Sequence, residues 1–126
     1  MAIFFGFAVA DSMFSGDVII QRTVLPEDKV ISFFHAFDNI VPCLNPSHTA
    51  TIEAMRKRFG ISIDIPPTAP KVELEAGDSL LVMSVRGLPR LDASRHEYTP
   101  EEIEGASFAF SVYDVQDVPL QNDDVV

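Results

Sequence analysis

Tryptophan is absent from this 126-residue chain, cysteine occurs once, and nine basic residues face nineteen acidic ones. Each shortage excludes something. A lone cysteine, Cys43, cannot close an internal disulfide and argues against a thiolate metal site, so a reducing cytoplasm is the expected compartment. A formal net charge of −10 argues against binding long nucleic acid, which needs an extended basic surface. It leaves room for a small anion, because a local basic cluster outweighs charges beyond a Debye length of about 10 Å. No apolar run approaches the ~20 residues of a membrane span, and no membrane partner is expected. The opening Met1 to Ala10 is apolar but lacks a basic n-region and meets Asp11 at once, so it does not read as a signal peptide. The phosphate-binding G-x-x-x-x-G-K-S/T loop, the dinucleotide glycine fingerprint and the G-x-S-x-G elbow are all missing. His35, His48 and His96 stand too far apart in sequence for metal-ligand spacing, so neither a metal nor another cofactor is expected.

What is present is apolar. Nearly half the residues are hydrophobic, ten of them Phe, enough for one domain with a proper core. Ile3 to Ala10 reads as a buried strand, followed by a loop over Asp11 to Gly16. Val18 to Val24 reads as a second strand or as a hairpin partner of the first. Pro26-Glu27-Asp28 opens a helix continued by Val30, Phe33, Phe34 and Phe37 at i, i+3, i+4 and i+7, a core stripe. Ile40 to Leu44 is a short apolar connection. Lys71 to Glu75 and Ser79 to Val85 are expected to pair antiparallel through a turn at Ala76-Gly77-Asp78. The unbroken Leu80-Leu81-Val82-Met83 marks a central strand covered on both faces. Thr99-Pro100-Glu101-Glu102 is a capping box opening a short helix, and Ala106 to Asp114 is a last strand with Phe108, Phe110 and Val112 on one face. The expected architecture is one α/β (α+β) domain over residues 1–115, a mixed, mostly antiparallel sheet flanked by about three helices. Residues 116–126 read as an acidic, solvated tail.

One stretch suggests chemistry. Asn45-Pro46-Ser47-His48-Thr49-Ala50-Thr51 opens an amphipathic helix expected to run to Phe59 and stop at Gly60. A helix start offers unpaired N–H groups and the positive end of the macrodipole, which suit an anion. The hydroxyls of Ser47, Thr49 and Thr51 surround His48, and imidazole is well matched to proton transfer near neutral pH. A phosphate held there would meet both a binding site and a proton donor. The same residues also read as architecture: His48, Ile52, Met55 and Phe59 share one helical face, and Ser, Thr and Asn are ordinary caps. Arg56, Lys57 and Arg58 complement the helix dipole without any ligand. Arg86, Arg90 and Arg95 gather in one short polar segment, as an anion cluster or as a solvated rim.

Taken together, several short motifs carry a family resemblance. Ser47-His48-Thr49-Ala50-Thr51-Ile52 leading to Gly60, the Val72-Glu73-Leu74 strand, the Gly77-Asp78 turn, Leu80 to Val85, Arg90-Leu91 and Thr99-Pro100-Glu101-Glu102-Ile103 follow in the family's order and approximate spacing. With Ala10-Asp11-Ser12-Met13-Phe14 after the first strand, the chain resembles the virus-encoded ring nucleases that act as anti-CRISPR proteins against type III systems. That group includes small archaeal-virus proteins once of unknown function. The resemblance covers nearly all residues up to about Asp114. It implies a homodimer binding one cyclic tetra-adenylate in a shared cleft, in the host cytoplasm. The ring would be cut without metal by its own 2′-hydroxyl, with His48 protonating the departing 5′-oxygen. Arg90, or Arg86 in another register, would stabilise the phosphate. Ser47, Thr49 and Thr51 at the helix start, Gly6 and Ala10 in the first strand, Ser12 after it, and Lys71 and Asp92 fall at ligand-contact positions. The departures are specific. Ser47 replaces a glycine, Gly6 a small amide side chain, Ala69 a basic residue with Lys71 two positions on, and Ala93 the second of two acids. The alternative they leave is a sponge that sequesters a cyclic nucleotide without cutting it.

Overall fold

Leu80, Leu81, Val82 and Met83 present apolar side chains to both faces of whatever sheet holds them, so the strand they form must lie inside it. The computed structural model describes residues 2–37, 39–44, 49–61, 63, 67–68, 71–91, 94 and 97–119. In it Ser79–Arg86 is β4, the third of five strands, and all four residues are buried. The other strands are β1 (Ile3–Gly6), β2 (Val18–Leu25), β3 (Ile40–Pro42) and β5 (Ser107–Asp117), in the order β2-β5-β4-β1-β3. β1 pairs parallel with β3 and β4, whereas β5 pairs antiparallel with β4 and β2. The antiparallel ladders hold eight residue pairs each and the parallel ones three and four, so the mixed sheet is mostly antiparallel, as expected.

Among the described residues three α-helices accompany the sheet: α1 (Val30–Ala36), α2 (Thr49–Phe59) and α3 (Pro100–Gly105). The period-3.6 stripe of α2 buries Ile52, Met55 and Phe59 in the main core with Phe5, Leu81, Met83, Phe108 and Phe110. Phe59 meets the rings of Phe108 and Phe110 edge-on at 5.6 and 5.3 Å. Gly60 ends α2 at φ +66°, the left-handed region that costs glycine least. The capping box of α3 forms in full: Thr99 N donates to Glu102 and Glu102 N to Thr99. Each fully buried aliphatic side chain of this core contributes roughly 1.5–3 kcal/mol.

Five expectations need correction. Lys71 to Glu75 does not pair with β4, because β1 and β5 already occupy both of its edges. Instead Val72 and Leu74 lie across the sheet's second face, on Leu80, Val82 and Val115, and Leu74 N donates to Met13 O (2.7 Å). The turn before β4 does form: Gly77 has φ +94°, and the Asp78 carboxylate accepts from Glu75 N and Ala2 N. β1 stops at Gly6 rather than Ala10, and β2 pairs with β5 rather than β1. Residues 11–13 form a 3-10 turn within the expected loop. Ile40–Pro42 is an edge strand rather than a mere connection. β5 runs to Asp117, so Gln116 and Asp117 belong to the sheet and not to a tail. Residues 120–126 lie outside the described ones.

Arg58 joins the helices. Its guanidinium donates to the backbone oxygens of Ile103, Glu104 and Ala106 at 2.9–3.1 Å and to the Glu27 carboxylate at 2.9 Å, and it stands over the Phe108 ring. Glu104 O is a carbonyl of the last helical turn, where partners within a short helix run out, whereas Ile103 O also accepts from Ala106 N at 3.3 Å. Arg58→Met, which keeps the apolar stem, is expected to lower unfolding stability by about 1–3 kcal/mol in urea titration. Lys57→Met, on an exposed side chain, should change it by no more than about 0.5 kcal/mol.

Candidate functional site

In a sheet with parallel strands, ligands favour the carboxyl ends, where the connections diverge. Three such ends lie side by side here: Gly6 of β1, Pro42 of β3 and, extending four residues further, Arg86 of β4. The chain leaving β3 leads to the start of α2 at Thr49, and the chain leaving β4 turns at Gly87 (φ +88°) toward Arg90. A Cβ on Gly87 would sit 3.6 Å from Ala106 Cα and Gly105 O, so the turn packs closely on the end of α3.

Strand alternation decides what faces this end. Leu81, Met83, Phe108 and Phe110 point to the helix side; Leu80, Val82, Tyr113 and Val115 point to the second face. The cover made by residues 13–14 and 72–74 lies on the lower part of that face. Above it the register sets Val82 beside Gly6 and Ser111, Ser84 beside Ala109, and Arg86 beside Ser107. Ser84, Arg86, Ser107 and Ala109 are exposed and Ser111 sits at the margin of burial. Among the described residues nothing roofs this upper half, a floor of small residues with Arg86 at its rim. Arg22 borders it, its Nε donating to Tyr113 Oη at 3.1 Å, and Val24 lies beside Ser111. None of these floor and rim residues is acidic, on a chain of net charge −10.

The expected site residues divide. Arg86 and Arg90 are both exposed, four residues apart, with no ion-pair partner among the described residues. Thr49 is exposed and Thr51 half-buried at the start of α2. Gly6 lies at the edge of the open floor, yet it is buried, and a Cβ there would come within 3.2 Å of Cys43 Sγ, a tight approach. Ala10 and Ser12 belong to the cover. Ala10 O accepts from Met13 N, and Ser12 lines a hollow of about 130 Å³ with Ser15, Glu73 and Glu75. Lys71, beside the same cover, is exposed and ion-paired with Glu73 at 3.2 Å, a surface pair worth little. His48, Ser47 and Asp92, with Arg95 and His96, lie outside the described residues. The floor itself is absent from the sequence expectations. Its signal was the alternation that buries Phe108 and Phe110, which leaves Ser107, Ala109 and Ser111 on the opposite side.

The fold is similar to that of B116 of Sulfolobus turreted icosahedral virus, with a TM-score of 0.69 and 16% identical residues over 90% of this chain and 99% of that one. No protein-family model and no curated protein matches the sequence. At this identity the likeness establishes a shared fold. No helix among the described residues is long and apolar enough to cross a membrane.

Cys43 closes the floor beside Gly6. Both its Sγ–H and its backbone N–H donate to Phe5 O, at 3.0 and 2.8 Å. Burial pushes the thiol above its ordinary value of 9.0, outweighing the backbone hydrogen bonds that lower it. The unfolded chain therefore releases this proton first. The thiol's contribution to stability is full below pH 9.0 and is lost as pH rises beyond it. Cys43→Ala is expected to flatten the decline of unfolding free energy above pH 9.0, and a decline identical in both proteins would refute the assignment.

Proposed function

We propose that this protein is a metal-independent ring nuclease that cleaves a cyclic oligoadenylate second messenger, cyclic tetra-adenylate, and so silences a type III CRISPR defence. The observation that carries the reading is the acid-free, arginine-rimmed open half of the sheet on a strongly acidic chain. A local cationic patch attracts a polyanionic ring despite distant negative charge. A floor of Ser and Ala side chains lets a flat, multiply charged ligand approach the backbone. The fold shared with a viral protein and the motif resemblance around His48 point the same way. A homodimer that holds the ring in a shared cleft belongs to this proposal.

The chemistry asks little of the protein. The ligand's 2′-hydroxyl attacks the adjacent phosphorus and gives up its proton to solvent water, and the bond to the 5′-oxygen breaks. His48 delivers a proton to that oxygen, and the products carry a 2′,3′-cyclic phosphate and a 5′-hydroxyl. Orientation of the attacking group and protonation of the leaving group are the two contributions required. Arg90, or Arg86 at the rim of the floor, stabilises the added charge on phosphorus. The sponge reading gains from Gly6, which offers no side chain to a ligand, and from Lys71, which is engaged by Glu73.

Incubation with cyclic di-, tri-, tetra- and hexa-nucleotides in excess EDTA, followed by chromatography before and after heat denaturation, separates these readings. The expected result is linear products from the tetra-adenylate ring, lost in His48→Ala by a factor of 100 or more while binding persists. Arg86→Ala and Arg90→Ala are expected to differ, the phosphate-clamping arginine costing both affinity and turnover. An intact ring released by heating would establish the sponge, and rings left free and whole would overturn both.

A further inference from the structure

A second concavity lies away from the open floor, on the helix side of the sheet and at its other end. Ile3 and Ser79 open β1 and β4, and the space that they, β2 and α1 enclose is about 360 Å³, at the lower end of the roughly 300–1,000 Å³ of small-molecule pockets. Ile3, Leu25, Phe33, Phe37 and Val112 make its walls, and the Phe33 and Phe37 rings lie with centroids 5.0 Å apart. β5 breaks its own pattern here. Phe108, Phe110 and Val112 give the helix side an apolar face, and the next residue on that face is Asp114, the one charged side chain among the described residues that line the groove. Its Oδ1 accepts from Ser79 Oγ at 2.5 Å, which fixes the carboxylate across the register pair of Ser79 and Asp114. Its Oδ2 has no hydrogen-bond or ion-pair partner among the described residues.

We propose that this groove binds a small organic cation, an alkylammonium whose hydrocarbon chain lies against the apolar walls and whose head donates to Asp114 Oδ2. Three features select that chemistry. The apolar walls favour a hydrocarbon body over a hydrated inorganic ion. The fixed carboxylate, with one oxygen unpaired, accepts a charge-assisted hydrogen bond that an ammonium donates more strongly than an alcohol does. Aromatic rings beside that carboxylate attract a cation and not an anion. An anion is excluded twice over, because no basic residue stands among the described residues that line the groove and the chain as a whole carries −10. A second copy of this chain would bring further acids toward Asp114, so the same charge disfavours it as the occupant. The groove lies on the opposite face of the sheet from the open floor, and the proposal does not rest on ring cleavage.

Titration of the isotope-labelled protein with hexylammonium, hexanol and hexanoate, followed by heteronuclear NMR, tests the assignment. Hexylammonium is expected to shift the backbone amides of Phe37, Val112 and Asp114 saturably, with an affinity about ten-fold above that of hexanol, and hexanoate to shift none of them. Asp114→Asn keeps the shape and an acceptor for Ser79, and should bring hexylammonium down to the level of hexanol. Phe37→Leu keeps the wall apolar, and should weaken hexylammonium while sparing hexanol. Equal affinity for hexylammonium and hexanol would leave an apolar hollow without cation recognition and overturns the proposal, as does full affinity retained in Asp114→Asn. Groove amides that ignore the amine, and move instead with Leu120→Asp or with protein concentration, would give the groove to the chain's own end or to a second copy, and equally overturn it.

Discussion

The burial of β4 on both faces is the constraint on which the other parts depend. Four consecutive apolar residues, Leu80 to Met83, cannot be satisfied at an edge or on a half-solvated strand, so β4 takes a parallel neighbour on one side and an antiparallel one on the other. With both edges filled, the segment around Val72 and Leu74 has no ladder to join and becomes a cover. That cover protects Leu80 and Val82 but not Ser84 and Arg86 further along the same strand. One strand is thus core at its start and floor of an open surface at its end.

This division explains how much was legible in the sequence. α2 and its glycine stop, the capping box of α3, the central position of β4 and the core stripe of β5 each rest on local signals, periodicity or cap chemistry, and each formed. The errors concern pairing. Val72 and Leu74 alternate as a strand does, and nothing local says that both edges of β4 are already occupied. Ile40–Pro42 is too short to show a period, and its strand character comes only from lying parallel beside Phe5. Phe7 to Ala10 continue the apolar run of β1, yet the strand stops at Gly6, beyond which β3 supplies no further ladder partner.

The candidate site was readable in part for a similar reason. Arg86 and Arg90 stand out as basic residues in an acidic chain, and Thr49 and Thr51 as hydroxyls at a helix start. Ser84, Ser107, Ala109 and Ser111 have no such signal one at a time, because small residues acquire meaning only when register brings them side by side. Gly6 illustrates a different case: a Cβ there would come within 3.2 Å of Cys43 Sγ, a closeness that its place in the sequence does not show. Lys71 is drawn to Glu73, a contact that sequence spacing allows but does not require.

A crystal structure of the protein with cyclic tetra-adenylate bearing 2′-O-methyl groups, which remove the attacking hydroxyl, decides whether the open half of the sheet holds the ligand. The ring is expected on the open half of the sheet, its phosphates at Arg86 or Arg90 and its sugar edge beside Ser84 and Ser107. A ring bound instead in the apolar groove between α1 and β2, which is lined by Phe33, Phe37 and Val112, would contradict it. So would crystals grown at saturating ligand in which the floor stays bare.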